Sequence, residues 1–229
     1  MLTFLNGSYR RLFFQRRFLV FLLVWLVWHI FPALSAESHA EKFSDAGGSG
    51  AVPYNFRIID GRLMAGGYLF NPVSKSNDDA RVRDYLRFLR AKGANSVILL
   101  HVPLKDIFTD RLASLCQQEN MQLVKMRMNS EQVPDAAQTE NLMQLIASGS
   151  YVHCMWGCDR TGAIIARYLR HQHDYTGRQA FAAIVGGGTH AGPLGGFKRT
   201  PANLNLLLYF WPEVASEAPE ILSEYKKKP

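Results

Sequence analysis

The residues able to do chemistry are concentrated in one stretch, Tyr151-Val152-His153-Cys154-Met155-Trp156-Gly157-Cys158-Asp159-Arg160-Thr161-Gly162. A cysteine is followed by five residues, an arginine, then Thr-Gly. An apolar, strand-like approach precedes it and an apolar, helix-like run, 163–169, follows. A loop that wraps back at a helix start turns several backbone N–H groups inward, and the positive end of the helix dipole adds to them. In such a nest a thiol loses its proton readily: the free value of about 8.5 falls to roughly 3.5–7.5, and only the thiolate is a useful nucleophile. Arg160 supplies a planar fork able to hold two oxygens of one tetrahedral anion.

Positioning these groups takes a strand, a turn and a helix, and the surrounding pattern predicts them. Residues 56–59 and 62–65 read as a hairpin turning at Asp60-Gly61. Val82, Tyr85, Leu86 and Leu89 stand at helical spacing within 78–92, and Gly93 ends that helix. Residues 96–100 are a continuous apolar run, the mark of a buried strand. A helix over 107–119, a strand over 121–128, a helix over 134–147 with Pro134 in its first turn, and a strand over 151–153 complete the approach. After the loop come helices over 161–171, 177–185 and 202–211. Strands alternating with helices predict an α/β fold, a central sheet flanked by helices, with the reactive loop at a strand's carboxyl end. The glycines of 186–188 and 192–196 read as a mobile surface loop.

The first 36 residues are a separate unit. Arg10, Arg11, Arg16 and Arg17 precede an apolar run, 18–31, and a small-residue end at 32–36, with no acidic residue. This describes an N-terminal hydrophobic helix acting as a signal peptide or an uncleaved signal anchor. The basic flank stays inside, so the remainder is exported, held at a membrane or released if cleaved. Residues 37–53, rich in glycine and small residues, read as a flexible linker, and 54–229 as the catalytic domain. The whole chain carries 26 basic against 19 acidic residues. Without the four leader arginines the balance is 22 − 19 = +3, with Lys226, Lys227 and Lys228 in a solvated tail. No basic stripe with interleaved aromatics exists, which argues against nucleic-acid binding. Cys116, Cys154 and Cys158 form no disulfide framework, and no ligand pair has metal-site spacing.

The stretch 153–162 resembles the signature of the cysteine-dependent protein tyrosine phosphatase superfamily, His-Cys-x5-Arg-[Ser/Thr], and its Gly-x-Asp-Arg-Thr-Gly ending is most similar to the dual-specificity, lipid-phosphatase-like and bacterial branches, with bacterial dual-specificity phosphatases the resemblance taken forward. The resemblance implies phosphomonoester hydrolysis in two steps through a phosphocysteine at Cys154, without metal or cofactor. It gives Arg160 and the loop residues Met155, Trp156, Gly157, Cys158, Thr161 and Gly162 to phosphate and substrate binding. Thr161 matches the hydroxyl that helps the sulfur leave, and His153 the histidine that orders the loop. The general acid is open between Glu131, Asp159 and Asp135, in that order. Ala65 departs from an arginine common near that hairpin. The loop lacks the lysines of phosphoinositide-handling branches, so phosphotyrosine or mixed phosphoprotein substrates are expected. The alternatives are a catalytically weak or dead phosphoprotein-binding module, a phosphoinositide phosphatase, and a thiol-based sulfurtransferase or arsenate reductase. Cys158 is a candidate partner for an oxidised Cys154.

Overall fold

Short, largely apolar and buried runs form the central strands. The computed structural model describes residues 41–42, 47–101 and 107–227. Within them the strands are β1 (Glu41–Lys42), β2 (Arg57–Ile58), β3 (Leu63–Gly66), β4 (Ser96–Leu99), β5 (Gln122–Lys125) and β6 (Ser150–His153). They make one sheet in the order β1-β2-β3-β6-β4-β5. β3, β6, β4 and β5 are parallel, and β1 and β2 add antiparallel at one edge. β6 therefore lies between two parallel neighbours. Gly66, His153 and Leu99 align at its carboxyl end. The next residue is Cys154, so the loop leaves the sheet where open α/β sheets form their crevice.

Period-two alternation assigns the two faces. Met64, Val97 and Tyr151 pack with α1 (Asp79–Ala91) and α2 (Ile107–Gln118). Leu63, Ala65, Ile98 and Val152 pack on the other side, with α3 (Ala136–Ala147), α4 (Asp159–Gln172), α5 (Gly177–Ile184), α6 (Leu204–Phe210) and α8 (Pro219–Lys226). Burying each large apolar side chain contributes about 1.5–3 kcal/mol, which is what fixes the register of so short a β6. In α1 the buried residues are Val82, Tyr85, Leu86 and Leu89, as the spacing predicts. Asp78 caps its start by accepting from Arg81 N–H at 2.8 Å. The hairpin turns where Asp-Gly indicates: the Asp60 carboxylate accepts the N–H groups of Arg62 and Leu63, each at 2.8 Å.

Several expectations change. The hydrophobic helix expected within 1–36 lies outside the described residues, as does most of 37–46. Among the described residues no helix is long and apolar enough to cross a membrane. Residues 47–53, expected as the end of a flexible linker, are instead tied down. Asn71 Nδ2 donates to the Gly47 carbonyl (2.9 Å), Asn77 Nδ2 to that of Gly48 (2.9 Å), and the Tyr85 hydroxyl to that of Gly50 (3.0 Å), while Val52 is buried. Backbone acceptors substitute there for the apolar burial that glycine cannot provide. The strand expected over 121–128 ends at Lys125, although Met126 and Met128 N–H still reach the Leu99 and Leu100 carbonyls. Two short helices, α7 (Val214–Glu217) and α8, follow the last expected one. Ile221, Leu222 and Tyr225 of α8 enter the core, so the tail is anchored almost to its lysines.

The glycine-rich segment 186–196 is also packed rather than mobile over its second half. Val185 bridges Phe197, and Gly192 bridges Gly195. A Cβ on Gly192 would lie 2.0 Å from Asn55 Oδ1, and one on Gly196 2.5 Å from the Ile184 carbonyl oxygen. Close approach, not flexibility, is the reason for glycine at these two positions.

Candidate active site

Between β6 and α4 the chain makes a tight loop, 154–158, with Cys154 at its base. Gly157 has φ +68°, and a Cβ there would lie 2.5 Å from the Gly66 backbone. Only glycine allows the loop to press against the end of β3. The N-cap residue, Cys158, makes no side-chain cap hydrogen bond, which leaves the first N–H groups of α4 to the loop and whatever occupies it.

Cys154 is 2% exposed. Burial pushes its thiol up. The Arg160 charge, the Thr161 hydroxyl and the N–H groups of Thr161 and Gly157 oppose it, and together they hold the thiol below the ordinary cysteine value. Thr161 Oγ1 also accepts the Cys154 N–H at 3.0 Å, fixing that hydroxyl beside the sulfur. His153 is fully buried, stacked on Tyr151 at 5.4 Å, with Nδ1 3.2 Å from the Cys154 carbonyl oxygen. Burial lowers its pKa to about 4, so it is neutral here and no base for the thiol.

Arg160 NH1 lies 2.9 Å from His101 Nδ1. Since guanidinium only donates, Nδ1 accepts and the His101 proton is on Nε2. Of the other loop residues, Met155 packs against the α1–α2 side of the core. Trp156 is 45% exposed and meets the Tyr54 ring edge to face at 5.8 Å. Cys158 is turned away from solvent, its sulfur 3.5 Å from Asn55 Nδ2 and 3.4 Å from the Trp156 carbonyl oxygen. Burial and the neighbouring Cys154 push its thiol up to about 11. All three cysteines are free; Cys116 is a core thiol, pushed up by burial to about 12.

The three acid candidates are placed differently. Asp135 is the N-cap of α3 in a reciprocal capping box with Gln138. Asp159, in the first turn of α4, accepts the Lys198 N–H and Asn203 Nδ2 through one oxygen, each at 2.8 Å. It ties 198–203 to the helix start. Glu131 stands exposed in a turn that Asn129 organises by accepting the N–H groups of Glu131 (2.8 Å) and Gln132 (2.7 Å). Among the described residues no hydrogen bond or ion pair engages its carboxylate.

Three residues around the loop escape the motif. His101 follows β4 and has no periodic signal of its own. Asn55, fully buried with φ +54°, and Arg57, 1% exposed, lie before and within β2, where a reader of sequence expects a solvated hairpin. An asparagine just ahead of an apolar run is the one cue to a left-handed position.

A family model described as "DSP-PTPase phosphatase fused to NAD+ Kinase" matches residues 82–185, from within α1 to just past α5. Among solved structures, TpbA of P. aeruginosa superposes with a TM-score of 0.52 at 14% identity, covering 84% of this chain and 99% of its own. PTPMT1, at 19% identity and a TM-score of 0.49, covers 72% of this chain and 99% of its own. The likeness to TpbA is one of fold. No curated protein matches the chain by sequence. In its motif and in the family model that spans the loop, this chain is similar to the cysteine-based tyrosine and dual-specificity phosphatases, and in fold to TpbA.

Proposed function

We propose that the protein hydrolyses phosphomonoesters through a phosphocysteine at Cys154. One observation carries this reading. A buried cysteine has its sulfur facing an arginine, a threonine hydroxyl and two backbone N–H groups, so the thiol is held below its ordinary pKa at a donor-rich helix start. A sulfurtransferase or arsenate reductase also uses a thiolate, but the Cys-x5-Arg-Thr arrangement suits an anion with three equatorial oxygens. Retention of both Cys154 and Arg160 favours catalysis over a dead binding module.

In the first step the Cys154 thiolate attacks phosphorus in line. The S–P bond forms, the P–O bond to the leaving group breaks, and a general acid protonates the departing oxygen. Arg160 and the loop N–H groups hold the equatorial oxygens as charge moves, the positioning and electrostatic work that dominates phosphoryl transfer. Water then attacks phosphorus and gives a proton to the conjugate base of that acid. The S–P bond breaks, with the Thr161 hydroxyl stabilising the sulfur as it leaves, and inorganic phosphate departs. Glu131 is our choice for the acid, because Asp135 and Asp159 are already engaged in structural hydrogen bonds while its carboxylate is free of them among the described residues.

Phosphotyrosine or mixed phosphoprotein substrates suit the loop better than phosphoinositides. The one exposed loop side chain is Trp156, paired with Tyr54, which offers an aromatic wall and no ammonium group. A structure of TpbA in complex with pTyr makes a phosphotyrosine peptide the natural first substrate to test. Release of phosphate from a phosphotyrosine peptide, and not at a comparable rate from a soluble inositol polyphosphate, is the expected result. The reverse preference contradicts the substrate class. Export through residues 1–36 belongs to the same proposal and is tested by N-terminal sequencing of the protein from fractionated cells.

A further inference from the structure

A loop whose N–H groups face inward must turn its carbonyls outward, and each buried carbonyl then needs a donor behind it. In 154–158 every carbonyl has one. That of Cys154 faces His153 Nδ1 at 3.2 Å, and that of Met155 accepts the Tyr68 N–H at 3.0 Å. The Cys158 carbonyl accepts the Gly162 N–H of α4 at 2.7 Å. The two in the middle of the loop have no backbone donor among these contacts. Trp156 is held by Asn55 Nδ2 at 3.1 Å. Gly157 is held by Arg57 NH1 at 2.8 Å and by Asn55 Nδ2 at 3.3 Å.

We propose that Asn55 and Arg57 are positioning residues, an external brace that keeps the middle carbonyls of the loop turned out and so keeps its N–H groups aimed at the Cys154 sulfur and the phosphate. Gly157 is the residue through which the brace acts: its carbonyl takes both side chains while its N–H bonds the sulfur. The brace is itself anchored. Asn55 Nδ2 also reaches the Gly195 carbonyl (3.2 Å), its Oδ1 accepts the Leu194 N–H (2.8 Å), and Arg57 Nε donates to the His190 carbonyl (3.2 Å). The packed glycine segment is therefore the far wall of the loop. Arg57 NH1 further binds the Asn55 carbonyl at 3.0 Å, locking the two together. A guanidinium buried this deeply is costly: burial lowers its pKa to about 10, partly offset by Cys158 and Cys154. Its positive charge thus also favours a negative sulfur from beneath the loop.

This inference rests on the anion-binding reading of the site, but its test does not need turnover. Because Asn55 has a left-handed backbone, Asn55→Gly and Asn55→Asp keep the chain path while removing the donor or replacing it with an acceptor. The measurements are the pH dependence of Cys154 alkylation by iodoacetamide, read on its own peptide by mass spectrometry, and competitive inhibition of that alkylation by inorganic phosphate. Melting temperature is followed in parallel. Both Asn55 variants and Arg57→Met are expected to raise the Cys154 titration midpoint and weaken phosphate inhibition about tenfold for each lost bond, Asn55→Asp most. Ile146→Val, a buried change in α3 away from the loop, is expected to lower the melting temperature with no shift in either quantity. Should Arg57→Met not fold, the Asn55 pair decides. An unchanged Cys154 midpoint and phosphate inhibition in folded Asn55→Gly and Asn55→Asp overturns the brace. A wild-type protein that neither binds phosphate nor turns over a phosphoester overturns the phosphatase reading instead.

Discussion

At the start of α4, Arg160, Thr161 and two N–H groups converge on Cys154; at its far end, Tyr168 and His173 converge on Asp60. The ingredients are alike: a titratable group, hydroxyl and nitrogen donors, and backbone N–H groups. At the far end the set is closed. Asp60 takes the Tyr168 hydroxyl at 2.6 Å, His173 Nε2 at 2.9 Å and the N–H groups of Arg62 and Leu63. Burial pushes the Asp60 carboxyl up, but these four donors outweigh it and hold the group below the usual carboxylate range. All four donors belong to the protein, and the cluster ties the hairpin to the end of α4 beside a cavity of about 500 Å³. At the near end the donors gather round a thiol instead of a carboxylate, at a helix start whose N-cap, Cys158, makes no side-chain cap hydrogen bond. On the proposed function, an anion from outside completes that set. The same helix thus carries a structural knot at one end and the candidate reactive centre at the other.

Substitutions break this contrast in a definite order. Cys154→Ser is expected to remove phosphate release by at least about 10⁴-fold, measured with an aryl phosphate, while thermal unfolding stays near wild type. Arg160→Lys keeps a charge but loses the fork, and turnover should fall about 10²–10³-fold with weaker phosphate inhibition. Glu131→Gln sharpens the reactive end. It should cost about 10²-fold with an alkyl phosphate and clearly less with an aryl phosphate, whose leaving phenolate needs a proton less. An equal effect on both substrates removes Glu131 from the acid role.

Asp60→Asn probes the opposite end and has the smallest expected effect on activity. It should lower stability by about 1–3 kcal/mol at neutral pH and leave the Cys154 titration unmoved. Its pH dependence follows from the depressed carboxyl. A carboxyl whose pKa is lower in the folded state contributes stability above its unfolded value, about 4, and loses that contribution as pH falls through the folded value. Wild type should therefore lose part of its advantage over Asp60→Asn in acid, seen as converging melting temperatures below pH 4.

The reactive end was legible in the sequence because its residues are consecutive: one strand, one loop and one helix start carry Cys154, Arg160 and Thr161. The helices α1 to α6 and the parallel core followed from apolar periodicity, which burial alone enforces. The brace was not legible. Asn55 and Arg57 lie 99 and 97 positions before the nucleophile by the numbering, and polar residues in a hairpin read as solvated until the sheet register buries them. Glycine density at 186–196 signals flexibility in sequence, but at Gly192 and Gly196 neighbouring segments leave no room for a Cβ. The order in 47–53 was hidden for a related reason. It rests on side chains of Asn71, Asn77 and Tyr85, more than twenty residues away from the carbonyls they hold.

The central claim is a covalent phosphoenzyme on one sulfur. Rapid acid quenching of the full chain during turnover of a phosphotyrosine peptide, followed by peptide mass spectrometry, reads it directly. The account predicts a phosphoryl group on the peptide containing Cys154, absent in Cys154→Ser and more abundant in Glu131→Gln if water attack becomes the slow step. Substrate consumed with no phosphoryl group on Cys154, or phosphate release undiminished in Cys154→Ser, would contradict it.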